Sequence, residues 1–340
     1  MTTAYETVPL LRCHYLDLVV STFRDLGHDV TSELIQSRLP AELPKCRGTY
    51  VPALPTFDFI TAVVQRHNIE DFACLAGAQL KVSDFDAVVR RELNEAKTLS
   101  EALNSYCRLV TREQSHVLCH VTAHVSGEAQ IHGTVGLGLS PDQREYSEWL
   151  LIKSLLAIVR HAAGSDWCPS QVAFQSQPAF GKSVWKAFPG TRFVVGQCET
   201  CVTVPAEILS HAWPDGRETA KTRPMPAELV SSRWDFPSSL RSAIRPYLAD
   251  GYPTVELAAE LASMSVRSLQ RRLNQCGLSY SDLVKQLRFE VATDLLADPR
   301  NTVIDAACEV GFSDPSHFSR AFRQMAGVSP REFRRQRLAA

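Results

Sequence analysis

Arginine can place paired hydrogen bonds on guanine O6 and N7, glutamine on adenine N6 and N7, and serine or histidine on bases or phosphates. Two stretches of this chain gather such groups. The first holds Arg267, Ser268, Gln270, Arg271 and Asn274; the second holds Ser316, His317, Ser319, Arg320 and Arg323. Between them fall Val266, Leu269 and Leu273 in one stretch, and Phe318, Phe322 and Met325 in the other. That spacing predicts two helices, each burying its apolar face and leaving a polar face without a single acid. One such helix is accounted for by an ordinary solvated surface. Two in tandem point to double-stranded nucleic acid as partner.

Other chemistry-bearing residues are less organised. Cys198 and Cys201 form a CxxC that can be a redox pair or half a metal site, but no second ligand pair follows at finger-like spacing. It lies between two strand-like runs and reads as a hairpin turn with structural cysteines. His116, His120 and His124 are spaced by four, but Val117, Leu118, Val121 and Val125 between them favour a strand. On a strand the three would share one face, as core or pocket-lining histidines rather than metal ligands. GxGxxG, GxxxxGK(S/T) and GxSxG are absent, so nucleotide-dependent and hydrolase chemistry have no support. No catalytic residue, cofactor or metal is expected.

The elements that must position the two polar faces repeat. Residues 254–265 (TVELAAELASMS) lie over residues 302–313 (TVIDAACEVGFS) at an offset of 48. Thr254 and Thr302 are N-cap types, and the paired alanines give each first helix a small face that another helix can cross closely. Breaks at 263–265 and 311–313 have the length of a helix-turn-helix, and Gly311 suits a left-handed helix end. An apolar helix reads as joining the two copies. Upstream, Phe57, Ile60, Val63 and Val64, then Leu99, Leu103, Tyr106 and Val110, repeat as helices do. Residues 146–159 carry an apolar face, with Trp149 as a large anchor, wide enough to lie at or next to a dimer interface or effector pocket, with burial entirely within the monomer as the alternative. Strand-like runs occupy 115–125, 131–139, 171–175, 191–197 and 201–204. The expectation is an α+β domain over residues 1–210, a proline-bearing linker over 211–238, and an all-α domain over 239–340 with two helix-turn-helix units.

Residues 311–334 (GFSDPSHFSRAFRQMAGVSPREFR) resemble the signature of the AraC/XylS family of bacterial transcription regulators. Residues 268–273 (SLQRRL) with 277–279 (GLS) are similar to the first recognition helix of that family. The resemblance implies that Arg267, Ser268, Gln270 and Arg271 in one unit, and Ser316, His317, Ser319, Arg320 and Arg323 in the other, contact DNA. Residues 174–180, 188–193 and 202–209 resemble an arabinose-binding-type regulatory domain, which implies a small-molecule effector and a homodimer. The alternatives are a thiol-redox regulator working through Cys198 and Cys201, or a cysteine-based enzyme with a DNA-binding tail.

Composition agrees with these assignments. The 340 residues are 45% hydrophobic and 21% charged, enough for two cores. The net charge of −1 conceals 14 basic against 11 acidic residues in 240–340, an Arg-biased and mildly positive tail on an acidic body. The start lacks a basic stretch followed by an apolar core, and the apolar runs near 149–159 are broken by Lys153 and Ser154. A secretory leader and a membrane span are therefore not expected. Ten scattered cysteines in a chain this long suit reduced thiols in a cytoplasm. The expected partners are a DNA operator, a small effector, and RNA polymerase if the protein activates.

Overall fold

The computed structural model describes residues 6–40, 48–123, 127–136, 138–214 and 234–339. Two compact units emerge, Pro9–Trp234 and Asp235–Ala340, with Glu6–Val8 grouped with the second. No helix among the described residues is long and apolar enough to cross a membrane.

The first unit is α+β. Strand β1 (Leu10–Arg12) leads into α1 (Cys13–Asp25) and α2 (Thr31–Gln36), and pairs antiparallel with β2 (Tyr50–Pro52). Helices α3 (Ala53–His67), α4 (Phe72–Leu75), α5 (Ala87–Asn94) and α6 (Leu99–Leu109) follow, then the hairpin of β3 (Val117–Ala123) and β4 (Ala129–Val135). Helix α7 (Pro141–Ala163) precedes β5 (Gln171–Ala173), α8 (Lys182–Ala187), β6 (Arg192–Val194), β7 (Thr200–Val204) and α9 (Ala206–Leu209). The main sheet runs β3-β4-β7-β5-β6, antiparallel except for the parallel pair β5 and β6.

Alternation along β4 sends Ile131, Gly133 and Val135 inward and leaves Gln130, His132 and Thr134 on the opposite side. Helix α7 lies on the inward face. A Cβ on Gly133 would fall 2.1 Å from Leu151 Cδ2, so the missing side chain sets how closely helix and sheet approach. Ser140 and Gln143 form a capping box at the start of α7, with Pro141 in its first turn. Every residue from Ser147 to Val159 is buried within the chain. The width of this apolar helix is thus consumed by α3, α4, α6 and the sheet, and the dimer-interface expectation for Trp149 and its neighbours is corrected.

Two local expectations also change. Strand β5 lies between β6 and β7, so the segment holding Cys198 and Cys201 is not a hairpin turn, and Cys201 sits inside β7. The ends of the 211–238 segment are ordered: Trp213 is buried in the first core, and Phe236 begins a helix capped by Asp235. Its middle, residues 215–233, lies outside the described residues.

The second unit is all helical: α10 (Phe236–Ile244), α11 (Val255–Leu261), α12 (Val266–Gln275), α13 (Tyr280–Ala297), α14 (Val303–Glu309), α15 (Pro315–Ala326) and α16 (Pro330–Ala339). Side-chain caps from Thr254, Ser265, Ser279, Thr302 and Asp314 start the five central helices, satisfying backbone N–H groups that the first turn leaves open. Helix α13 packs on α10, α14 and α16, with Leu283, Val284, Leu287, Val291 and Leu296 inside.

The repeat is visible in backbone detail. In copy one, Ser263 N–H donates to Glu260 C=O and Met264 N–H to Ala259 C=O, both at 2.9 Å. In copy two, Gly311 bonds Cys308 and Phe312 bonds Ala307, also at 2.9 Å. Both are Schellman endings, which need a left-handed residue. Gly311 provides it at φ +76°, while copy one forces Ser263 to φ +51°. An L-residue there costs about 1–2 kcal/mol, partly offset by the lower unfolded-state entropy of serine. Ser263→Gly should therefore raise stability by roughly 0.5–1 kcal/mol. At Gly311 a Cβ would meet Leu248 O at 2.2 Å and Gly251 O at 2.6 Å, so Gly311→Ala should lower stability by more than about 2 kcal/mol. Urea unfolding of both variants checks the pair; a destabilised Ser263→Gly would remove strain as the explanation.

Candidate functional site

In copy one, Ser265 caps α12 and Leu269 and Leu273 anchor it in the core. The opposite face is left with Arg267, Gln270 and Arg271 exposed, and with Asn274 and Gln275 they line one open hollow. Ser268 is half-buried: its N–H donates to Ser265 Oγ at 3.2 Å, and the Ser265 hydroxyl donates to Ser268 Oγ at 3.0 Å. Its side chain is therefore engaged in the helix start. Arg272, adjacent to Arg271 in sequence, turns inward with its guanidinium 4.7 Å from the Phe236 ring centroid. Val266, expected in the core, is only half-buried.

In copy two, Asp314 caps α15 by accepting the Ser316 N–H at 2.7 Å, which holds the Asp314 carboxyl below its ordinary pKa. Pro315 opens the helix, where its missing N–H costs nothing. Phe318 and Phe322 are buried, and Ser316, His317, Arg320 and Arg323 are exposed. His317 Nε2 lies 3.7 Å from Asp314 Oδ2, and Ser319 is half-buried. Met325, expected to be buried, is 44% exposed, because the core at its end of α15 is filled by Phe322 packing on Phe289 and Phe333. Arg334 donates to Pro299 C=O at 2.9 Å, which gives it a structural partner within the unit.

The residue that ties this unit together escapes periodicity. Arg288, on α13, donates to Gly311 C=O at 2.7 Å and stacks on Phe312 at 4.5 Å and Tyr252 at 5.3 Å. Burial lowers its pKa from the ordinary arginine value. Its only sequence signal is an arginine amid the apolar rhythm of the joining helix.

The first unit holds a cavity of about 630 Å³ between the 77–83 segment, α5 and the C-terminal half of α7. Lys81, Arg90, Lys153 and Arg160 line it with no Asp or Glu. Lys153 lies almost wholly buried, its Nζ 3.9 Å from Cys74 Sγ and facing the Trp149 and Phe188 rings at 5.6 and 5.0 Å. Burial pushes this ammonium below its usual pKa. A neighbouring hollow shares Arg90 and Lys81 but is walled by Asp17, Asp84 and Asp86. The lone lysine in an apolar helix was the available signal for the first cavity.

The other sequence candidates are separated. His116 is half-buried, its Nε2 2.8 Å from Ser147 Oγ, and desolvation lowers its pKa to about 4. His120 is exposed on the far side of the sheet, so the two do not share a face, and His124 lies outside the described residues. Cys198 is exposed, whereas burial pushes the Cys201 thiol up to about 11, away from the thiolate that redox exchange requires. The close thiols are a different pair: Cys107 of α6 and Cys119 of β3, 3.3 Å apart.

Similarity to known proteins follows the same division. RhaS of Escherichia coli (strain SE11), an HTH-type transcriptional activator, is 40% identical over 83 residues, 24% of this chain and 30% of its own. The HTH-type transcriptional regulator VirS of Mycobacterium tuberculosis is 29% identical over 126 residues, 37% of each chain. The ornithine utilization regulator of Pseudomonas aeruginosa is 34% identical over 83 residues, 24% of each. The chain thus spans about a quarter to a third of the length of the curated relatives it matches. The crystal structure of the regulator CdpR from Pseudomonas aeruginosa aligns over 90% of this chain and 96% of its own, at 19% identity and a TM-score of 0.40. Two family models match: "Helix-turn-helix domain" over residues 258–336, and "Arabinose-binding domain of AraC transcription regulator, N-term" over residues 27–212. Since the second alone takes in more than half of the 340 residues, the chain belongs to the AraC family of transcription regulators.

Proposed function

We propose that this protein is a sequence-specific DNA-binding activator whose residues 239–340 read an operator while residues 1–210 bind a small effector and dimerise in the cytoplasm. The observation that carries the reading is the pair of Schellman-closed, capped helix pairs, each ending in a second helix whose exposed polar face has no acid. Arg267, Gln270 and Arg271 on α12, with Ser316, His317, Arg320 and Arg323 on α15, are assigned to DNA. Ser268 and Ser319, half-buried, act closer to the backbone. RNA polymerase is the further partner of an activator. Effector control requires tighter binding to one state of the dimer than to the other.

The acid-free cavity beside α7 is the effector site of this reading, and its lining favours an anionic small molecule. Burying Lys153 near Arg90 and Arg160 costs least when a bound negative charge offsets them. A thermal-shift panel of carboxylates, phosphate esters, neutral sugars and amines should give its largest upward shifts with anions. Arg90→Glu should abolish those shifts while leaving the unliganded melting temperature within a few degrees. Stabilisation by neutral or cationic compounds alone would overturn the assignment.

For the DNA interface, binding-site selection separates base reading from charge. Arg271→Ala and Arg320→Ala should each cost ~1–3 kcal/mol and relax preference over a few base pairs. The two affected clusters should sit roughly one helical turn, about 10 base pairs, apart. Arg335→Ala and Arg337→Ala should weaken all sequences about equally and flatten the salt dependence by ~1 per lost phosphate contact. If Arg271→Ala and Arg320→Ala lose affinity with base preferences intact, these arginines clamp backbone, and reading belongs to Gln270, Ser316 and their neighbours.

A further inference from the structure

On the sheet face away from α7, three ligand-type side chains converge that neither the DNA interface nor the cavity uses. His120 of β3 and His132 of β4 stand directly opposite in the antiparallel register, their rings stacked at 5.0 Å and 11°. Glu199, the residue before β7, brings Oε2 to 3.1 Å from His132 Nδ1 and accepts the Thr134 hydroxyl on Oε1 at 3.0 Å. One ligand atom from each of the three lies within 4.8 Å of the others. His132 and Glu199 are partly buried, at 19% and 33% side-chain exposure, while His120 opens to solvent. The cluster is therefore held on strands yet reachable.

The hydrogen bonding around His132 bears on what belongs between these groups. The Thr122 hydroxyl donates to Gln130 C=O at 3.4 Å and lies 3.0 Å from His132 Nε2. On the other side of the ring, Nδ1 faces the Glu199 carboxylate oxygen at 3.1 Å, a separation that either a shared proton or a shared metal ion can bridge. A histidine whose outer nitrogen is held by a hydroxyl, with its inner nitrogen beside a carboxylate and a second imidazole, is an arrangement that can orient a metal ligand.

We propose that His120, His132 and Glu199 bind one divalent transition cation of the zinc class, with a water completing the coordination. Two imidazole nitrogens and one carboxylate oxygen suit Zn²⁺, Co²⁺ or Ni²⁺, whereas Mg²⁺ and Ca²⁺ take oxygen ligands. In a tetrahedral site ligand atoms sit about 3.4 Å apart, given metal–nitrogen bonds of about 2.0–2.1 Å. His132 and Glu199 already meet that spacing, and the remaining closure falls to the exposed His120, whose side chain is the freest to rotate. Bound metal would join β3, β4 and the lead-in to β7 at one point. The site is remote in sequence from the cavity residues and stands or falls independently of the effector reading.

The test is metal binding by the full chain with thiols kept reduced. Co²⁺ titration should give one equivalent with the visible d–d bands of a tetrahedral ion, stronger than those of aqueous Co²⁺, and no near-ultraviolet thiolate band. Zn²⁺ affinity, read by competition with a chromophoric chelator, should fall at least tenfold in His120→Ala and in Glu199→Gln. Thr122→Val should lose severalfold, since it orients His132 without touching the ion. Circular dichroism of each variant should match the parent. Three results would overturn the proposal: no stoichiometric binding by the folded parent, equal affinity in parent and variants, or a thiolate band that persists in His120→Ala and marks cysteine as the ligand.

Discussion

Much of the second unit depends on where one guanidinium is held. Arg288 reaches from the middle of α13 to the carbonyl of Gly311, and its guanidinium lies over the rings of Phe312 and Tyr252. Charge-assisted hydrogen bonding and stacking act on the same group, and the fixed geometry of the fork makes the contact directional. Gly311 must lack a side chain, because the Leu248 and Gly251 carbonyls and Arg288 already occupy the space a Cβ would take. The turn before copy one, the helix between the copies and the turn inside copy two therefore meet at one point. The start of α11 and the start of α15 are both referenced to that point, so the placement of each helix proposed to read DNA is coupled to a residue outside their exposed polar faces.

The copies solve the same backbone problem with unequal means. Copy two ends its first helix on glycine and starts its second with Asp314 and Pro315. Copy one ends on a strained serine and starts its second helix with a serine pair that bond each other. A hydroxyl cap is weaker than a carboxylate that can also meet the helix dipole, so copy one carries the less favourable local terms. Inward anchoring differs as well: Arg272 on Phe236 in copy one, a phenylalanine cluster in copy two.

What could be read in advance divides along the range of the interactions. Caps, helix periods and the 48-residue repeat are local, so Thr254, Thr302, Gly311 and the anchors Leu269, Leu273, Phe318 and Phe322 were legible from residue type and spacing. Arg271 and Arg272 are adjacent and chemically alike; only the 100° turn between neighbouring helical positions decides which faces out, together with what the inner one meets. Met325 has a core-like spacing but no core partner at its end of the helix. In the first unit the decisive pairings are remote. Strand β5 inserts between β6 and β7, Glu199 reaches His132, and Cys107 meets Cys119, none of which a linear pattern encodes. The apolar run at 146–159 announced burial without saying whether its cover came from this chain or another.

That cover comes from this chain, and it makes α7 a mechanical part. Its 23 residues form a rod about 34 Å long. Near one end the buried Glu148 accepts bonds from Ser176 and Thr200, mooring the rod to the loops around β5 and β7. The other end, from Lys153 to His161, is a wall of the basic cavity. Between them Leu151 sits in the notch left by Gly133, with no side chain on the sheet to cushion it. A close-packed interior has low compressibility, so one stiff helix carries the cavity wall, the Gly133 contact and the Glu148 moorings to Ser176 and Thr200 together.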